Sequence, residues 1–426
     1  MRAALAAALA AGLMLVATGC GSSSAATTRL GSDAAQLVPP SALAFVTADA
    51  NLDSAQWKTV TNLFGPIELP KQLDFKRDVQ PAVGDELNIA VLGVDNGKPE
   101  AVAIVKSKDE AKLRSLAARF DQGNEHYTVE DIAGWSVVAD SAENFQAVRS
   151  ASTGSSLADT ADFKQATSQL DTGALAFAYA NRAAVQKLGA NLRSLVGTPR
   201  WLAAHVVAGK DEVTLDARAT GGARAAAYKP TLLRDVPSGA ALAVSFKNAN
   251  ELLARLRSEP ALRAALPFVA QLKGISGEGV LYVVPGMLPP VVTLEVRPQD
   301  PAAASKSLKA LANRIGNVLP LHVTREGAKV LLTNAATNPG STGSLVDDKA
   351  FKDALSAADV PDEVTWLAYA DVPRLAPLLQ ALAALRPQGA QSKSANLDKL
   401  DKLGTVVAYG ARPGSNSQLV VRITHA

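Results

Sequence analysis

The sequence predicts an α+β protein made of two tandem homologous halves, residues 37–220 and 232–425. Each half is expected to be a mostly antiparallel or mixed sheet with helices packed on one face. Three observations carry this. Strand-like apolar runs come in pairs joined by tight-turn residues, which makes neighbours antiparallel. Helical patterns interrupt those pairs without the strict strand–helix alternation of a doubly wound fold. An internal repeat spans the chain. SLADTADFKQA (Ser156 to Ala166) and SLVDDKAFKDA (Ser344 to Ala354) are identical at six of eleven positions. Upstream, VPPSALAFVTADAN (Val38 to Asn51) matches VPSGAALAVSFKNAN (Val236 to Asn250) with one insertion, and downstream ALAFAYAN (Ala174 to Asn181) matches TWLAYAD (Thr365 to Asp371). The join, ATGGARAAAYKP (Ala219 to Pro230), has linker composition.

The chain opens with Met1-Arg2, an apolar run of about fifteen residues from Ala3 to Ala17, and Thr18-Gly19-Cys20. One positive charge, a short apolar segment and small residues are signal-peptide grammar, so residues 1–19 are expected to be removed. The run is shorter than the roughly 20 residues a spanning helix needs. Ala17-Thr18-Gly19-Cys20 resembles a lipobox, in which the thiol takes a diacylglyceryl group; Ala17 stands where Leu is usual. The alternative is a plain secreted protein with a chance cysteine. Two acyl chains on Cys20 suffice for stable anchoring, since each buried methylene contributes about 0.8 kcal/mol. Residues 20–36, rich in Gly, Ser, Ala and Thr, read as the lipidated cysteine and a flexible tether.

In the first half, Leu87 to Val94 and Ala101 to Val105 read as strands joined at Asp95-Asn96-Gly97. Ser107 and Glu110 have capping-box spacing before a helix with Leu113, Leu116, Ala117 and Phe120 on one face. Tyr127 to Val129 and Trp135 to Ala139 form a hairpin around Ala133-Gly134. In the second half, Leu281 to Val284 and Val291 to Val296 are strands. Asp300-Pro301 starts a helix, with Leu308, Leu311, Ala312 and Ile315 inward and Gly316 as its stop. Val323 to Thr324 and Val330 to Thr333 close that unit.

Composition narrows the function classes. Forty-eight per cent hydrophobic and 19 per cent charged residues describe a globular chain. The net charge of +3 falls to +2 once Arg2 is removed, which argues against nucleic acid as a partner. Cys20 is the only cysteine, so its lipidation would leave no thiol for a disulfide or a cysteine metal site.

LVPPSALAFVTADANLDSAQWKTV (Leu37 to Val60) resembles an uncharacterised bacterial family, common in actinobacteria, known as domain of unknown function 3352. Val38-Pro39-Pro40, Ala42-Leu43-Ala44-Phe45-Val46, Asn51-Leu52-Asp53-Ser54 and Gln56-Trp57-Lys58 carry the likeness. It implies a secreted or membrane-anchored protein and transfers no activity or site residues.

Motifs for chemistry are weak. Gly93-x-x-x-Gly97-Lys98-Pro99 is one residue short of a phosphate loop and reads as a hairpin turn. Asp49-x-Asn51-x-Asp53 opens like a calcium loop but has Ser54 and Val60 where Gly and Glu belong; a capped helix start is the simpler account. His126, His205, His322 and His425 lack metal-ligand spacing. Gly274-Ile275-Ser276-Gly277-Glu278-Gly279 is one residue short of a nucleophile elbow. Asp347-Asp348-Lys349 reads as a solvated helix start. Asp49, Asn181, Asn248 and Asp371 each end a strand before a helix-like pattern, as a set of ligand-facing carboxylates or as helix caps or turns. Leu375, Leu378, Leu379, Leu382 and Leu385, and Leu262, Leu266, Phe268, Val269 and Leu272, form apolar stripes that either pack on the sheet or wall a lipid cavity.

The expectation is therefore an extracytoplasmic lipoprotein, held to the cell membrane through lipidated Cys20, with a non-enzymatic binding or scaffolding role at the envelope. Its partner would be an envelope protein or an apolar ligand. The rivals are a carrier of lipid or another apolar ligand, and an enzyme of unknown class. No catalytic, cofactor-binding or metal-binding residue and no cofactor is assigned.

Overall fold

A computed structural model describes residues 30–65, 75–95, 97–121, 126–168, 173–187, 198–221, 225–248, 276–286, 289–315, 320–335, 343–384 and 397–426. The chain divides into two compact units: Met1–Gly189 with Thr198–Gly222, and Ala190–Gly197 with Ala223–Ala426. The fold is α+β. Within each unit the strand pairings recorded are antiparallel.

Unit 1 contains β1 (Ala44–Asp49), β2 (Glu86–Asp95), β3 (Lys98–Val105), β4 (Thr128–Ile132), β5 (Trp135–Ala139), β6 (Ala176–Asn181), β7 (Trp201–Ala208) and β8 (Glu212–Thr220). Their order is β8-β7-β6-β1-β2-β3-β5-β4. The hairpins follow from local turn chemistry. Asp95 pairs with Lys98 across a two-residue loop, with Gly97 at φ 77°. Ile132 pairs with Trp135 around Ala133 (φ 54°) and Gly134 (φ 77°), the double positive φ of a type I′ turn.

The helices are α1 (Ala55–Phe64), α2 (Gln80–Val83), α3 (Glu110–Ala118), α4 (Ala142–Thr153), α5 (Ala161–Thr167) and α6 (Arg182–Lys187). They cover both faces of the sheet, which corrects the expectation of helices on one face. On one face Phe45, Val102, Ile104, Val137 and Phe177 meet Phe145 and Val148 of α4 and Phe163 of α5. On the other, Ile89, Val91, Ala103, Val105 and Val138 meet Leu113 and Leu116 of α3 and Val83 of α2. The reason lies in runs such as Ala101 to Val105, where both pleat faces are apolar and each needs cover. A second correction concerns the start of α3. Its cap is Asp109, whose carboxylate accepts from Lys112 N at 3.0 Å. Ser107 instead accepts from Asp109 N at 3.2 Å.

Unit 2 contains β9 (Leu242–Lys247), β10 (Glu278–Val284), β11 (Val291–Arg297), β12 (His322–Glu326), β13 (Lys329–Thr333), β14 (Trp366–Asp371), β15 (Leu403–Ala411) and β16 (Asn416–His425). Their order is β12-β13-β11-β10-β9-β14-β15-β16. Here too both faces are covered. Ala243, Tyr282, Leu367, Tyr369 and Val407 meet Leu232, Leu345 and Phe351, the last from α8 (Lys349–Ala357). Phe246, Val296, Val330 and Leu332 meet Leu308 and Leu311 of α7 (Pro301–Ile315). As the Asp300-Pro301 signal predicts, Asp300 accepts from Ala302 N and Ala303 N, both at 3.0 Å. Gly316, the expected stop, lies outside the described residues. Gly279 has a packing reason: a Cβ there would sit 2.5 Å from the Phe246 ring, its direct cross-strand neighbour.

The recurrent Leu-x-x-x-x-x-Phe segments do the same work in each unit. Leu157 N donates to Val38 O at 2.7 Å, and Phe163 makes edge contacts with Phe45, Phe177 and Tyr179 at centroid distances of 6.0, 6.0 and 5.2 Å. Leu345 N donates to Val236 O at 2.8 Å, and Phe351 stands 4.9 Å from Tyr369. Truncating either ring removes a buried aromatic and leaves a cavity. Phe163→Ala and Phe351→Ala should each lower the unfolding free energy by about 3–5 kcal/mol in urea titrations. A loss no larger than that of a surface substitution would show that these rings do not key the cores.

Candidate functional site

The strand-ending Asp and Asn side chains are engaged locally. Asp49 Oδ1 accepts from Asn51 N at 2.8 Å, and Asn51 Oδ1 accepts from Asp53 N at 3.1 Å. Ser54 caps α1 by accepting from Trp57 N at 3.3 Å, while the Trp57 indole donates to Asp49 O at 2.8 Å. Burial raises the Asp49 carboxyl above its ordinary range, against the opposing pull of the Asn51 N–H. Lys76 pairs with Asp53 at 2.6 Å. The stretch that opens like a calcium loop is thus a chain of turns leading into a capped helix. Among the described residues, no group of three His, Cys, Asp or Glu is placed to hold a metal.

Asn181 caps α6 by accepting from Ala184 N at 2.9 Å and donates to Ala42 O at 2.8 Å. Asp371 accepts from Arg374 N at 3.1 Å at the start of α9 (Val372–Ala384), and its carboxylate pairs with Arg374 Nε at 3.0 Å. Asn248 differs. It sits at φ 57°, one residue past the end of β9, and accepts from Gly277 N at 3.2 Å. Its side chain holds the start of β10 across the sheet.

Other sequence-level candidates separate in space or fall outside view. Gly93 and Gly97 belong to the β2–β3 hairpin, and Pro99 lies on β3. Gly274 and Ile275 lie outside the described residues; Gly277, at φ 92°, makes the turn into β10. Asp348 caps α8 by accepting from Ala350 N at 2.8 Å. His126 is exposed beside Asp121 (3.2 Å), and His322 and His425 are exposed. Cys20 lies outside the described residues, as do the stripe from Leu262 to Leu272 and Leu385; the same holds for the side chain of Leu382. On α9, Leu375 and Leu378 are half-buried and Leu379 is exposed.

The structure reveals two charged clusters, each built on a buried carboxylate, that spacing in the sequence does not bring together. In unit 1, His205 of β7 is buried directly opposite Asp216 of β8, and Arg218 grips that carboxylate with Nε at 3.0 Å and Nη2 at 2.7 Å. In unit 2, Glu295 of β11 is 2% exposed. Lys329 Nζ lies 3.1 Å from Glu295 Oε1 and 2.9 Å from Asp235 Oδ2. The contact with Glu295 is an ion pair and not an aligned hydrogen bond. On the same sheet face, Thr293 and Thr333 bond at 2.9 Å and Tyr228 bonds Ser245 at 2.8 Å. The clue in the sequence is one acidic residue in the apolar run VVTLEV, with Lys329 opening a later strand.

The electrostatics of the unit 2 cluster suit a brace. Desolvation raises the Glu295 carboxyl above the ordinary Glu range, partly opposed by Lys329. Burial alone would lower the Lys329 ammonium, but Asp235 and Glu295 outweigh it and raise it overall. A lysine so shared stays protonated and is a poor nucleophile. Burial also raises the Tyr228 phenol, so the partner of Ser245 is no base. The three charges instead tie the Thr231–Asp235 turn, through Lys329, to the sheet.

Removing Lys329 would strand the Glu295 charge. Lys329→Met should destabilise unit 2, by less than the about 3–5 kcal/mol of a fully buried pair because the lysine is part-exposed. The sign with pH follows from the raised Glu295 value. Its protonated form is favoured by folding, so that contribution is present below the unfolded Glu range and is lost as pH rises through the folded value. Urea midpoints from pH 4 to 8 should show this penalty growing with pH in Lys329→Met and shrinking in Lys329→Met/Glu295→Gln. Identical pH profiles for the two would count against the brace.

No family model matches the chain, and no curated protein matches it. Among solved structures, crystal form III of TP0453 aligns at 11% sequence identity over 70% of this chain and 92% of that chain, with a TM-score of 0.21. At that score the likeness carries no argument about fold or function.

Proposed function

We propose that this protein is an extracytoplasmic lipoprotein, anchored to the cell membrane through Cys20, with a non-enzymatic binding or scaffolding role at the envelope. The observation that carries the reading is the sequence from Met1 to Cys20: one basic residue, a short apolar run and small residues directly before the lone cysteine. The resemblance to domain of unknown function 3352 points the same way. Its Ser54, Gln56 and Trp57 serve as framework: the Gln56 amide donates to Gly173 O at 3.0 Å and accepts from Ala208 N at 3.2 Å. No helix among the described residues is long and apolar enough to cross a membrane.

We also infer that the halves 37–220 and 232–425 arose by duplication. Read from β4 and from β12, the two strand orders coincide. Paired hydrogen bonds support the match: Ala42 N to Pro39 O and Ala240 N to Pro237 O, both 3.0 Å, then Asn181 N to Leu43 O at 2.9 Å and Asp371 N to Ala241 O at 2.8 Å. On this reading Val38 answers to Val236 with no insertion before the strand. Asn248 then answers to Ala50, and Lys247 to Asp49.

Fatty-acid labelling in cells tests the anchor. Label should appear on the wild-type chain and vanish in Cys20→Ser; equal labelling of both would refute it.

The half-buried Leu375 and Leu378 beside exposed Leu379 on α9 favour one second reading, a carrier of lipid or another apolar ligand. Native mass spectrometry of envelope-purified protein should then show bound lipid, lost or reduced in Leu379→Asp. A consistently bare protein would eliminate that reading.

A further inference from the structure

The two outer hairpins, β4–β5 and β12–β13, have opposite edge chemistry. In each, the residues flanking a two-residue loop form a hydrogen-bonded pair: Ile132 with Trp135, and Glu326 with Lys329. Counting back in alternation, the residues whose N–H and C=O point away from the sheet are Tyr127, Val129 and Asp131 at β4, and Val323 and Arg325 at β12. The β4 edge is blocked by side chains. Arg114 of α3 donates to Val129 O at 3.1 Å, and Asp121 accepts from Tyr127 N at 2.9 Å. Arg149 of α4 reaches the same strand through Glu130. At β12, among the described residues, no group meets the outward N–H and C=O of Val323 and Arg325. The strand stands last in its sheet order, and four of its five side chains are exposed.

We propose that β12 is a self-association edge, and that its occupant is β12 of a second copy of this chain, antiparallel about a two-fold axis through Thr324. The strand reads His322-Val323-Thr324-Arg325-Glu326. Centred on Thr324, Val323 of one copy lies opposite Arg325 of the other. These are the residues with outward backbone groups, so the pairing satisfies both ends with four N–H···O bonds. Side chains then complement: His322 faces Glu326 of the second copy, Thr324 faces Thr324, and no like charges lie directly opposite. Shifting the register by one residue would aim outward groups at inward ones. Such a contact is isologous and closes at two copies.

The geometry offers a single-thiol test. Thr324 sits in a non-hydrogen-bonded pair with its own copy, where Cα atoms are about 4.5 Å apart, within the about 4.4–6.8 Å range of a disulfide. Thr324→Cys in the full chain, in a Cys20→Ser background, should form a disulfide-linked dimer under mild oxidation. Asp131→Cys at the blocked β4 edge should remain monomeric under the same conditions. Unmodified chain should shift from monomer to dimer mass with rising concentration in sedimentation velocity, and Val323→Pro, which removes one outward N–H, should lose that shift. The proposal is overturned if Thr324→Cys cross-links no more than Asp131→Cys, or if the unmodified chain sediments as a monomer at every concentration.

Discussion

Each unit rests on one constraint: an antiparallel sheet whose two pleat faces are both taken out of water. An antiparallel sheet can leave one face wet, and its strands then alternate apolar and polar residues. Here some strands are buried on both sides. Along β3, Ala101 to Val105 is buried without interruption; Val102 and Ile104 join one core, while Ala103 and Val105 join the other. Both faces therefore need helices. α3 and α7 cover one face of their respective sheets; α4 and α5, and in unit 2 α8, cover the opposite one.

Double cover makes polar groups inside the sheet costly, and several of them find a partner across the sheet. The Asn88 amide donates to Ile104 O at 3.0 Å. Ser245 turns to Tyr228, Thr293 to Thr333, and Glu295 to Lys329. Each is a pairing between residues 16 to 40 positions apart, so losing one partner leaves the other unsatisfied where water is excluded. In unit 2 these groups lie on one face, the face that receives the turn at Thr231–Asp235, and the charged members extend the core's hold onto that turn.

Local features were legible in the sequence because their physics spans a few residues. Ala133-Gly134 makes a type I′ turn from the φ preferences of its own residues, and Asp300-Pro301 starts α7 through its own cap. Misreadings arose where two neighbours offered the same service. Ser107 and Asp109 can each cap α3, and the observed start at Glu110 puts Asp109 in the capping position. The charged clusters stayed hidden because His205, Asp216, Glu295 and Lys329 are ordinary strand residues until pairing order brings them together.

By itself the sequence determined the α+β class, the hairpins, the helix starts at Asp300-Pro301 and Asp347-Asp348-Lys349 and the cap-or-turn role of Asp49 and Asn181. All of these are set by backbone preferences and hydrogen bonds between close neighbours in the chain. Only the tertiary structure decided that both sheet faces are covered, that Glu295 is buried against Lys329, and that β4 is blocked while β12 is open. Those outcomes depend on which strand lies beside which and on which helix crosses above, and antiparallel order is decided by long-range burial, beyond the reach of any short window of residues.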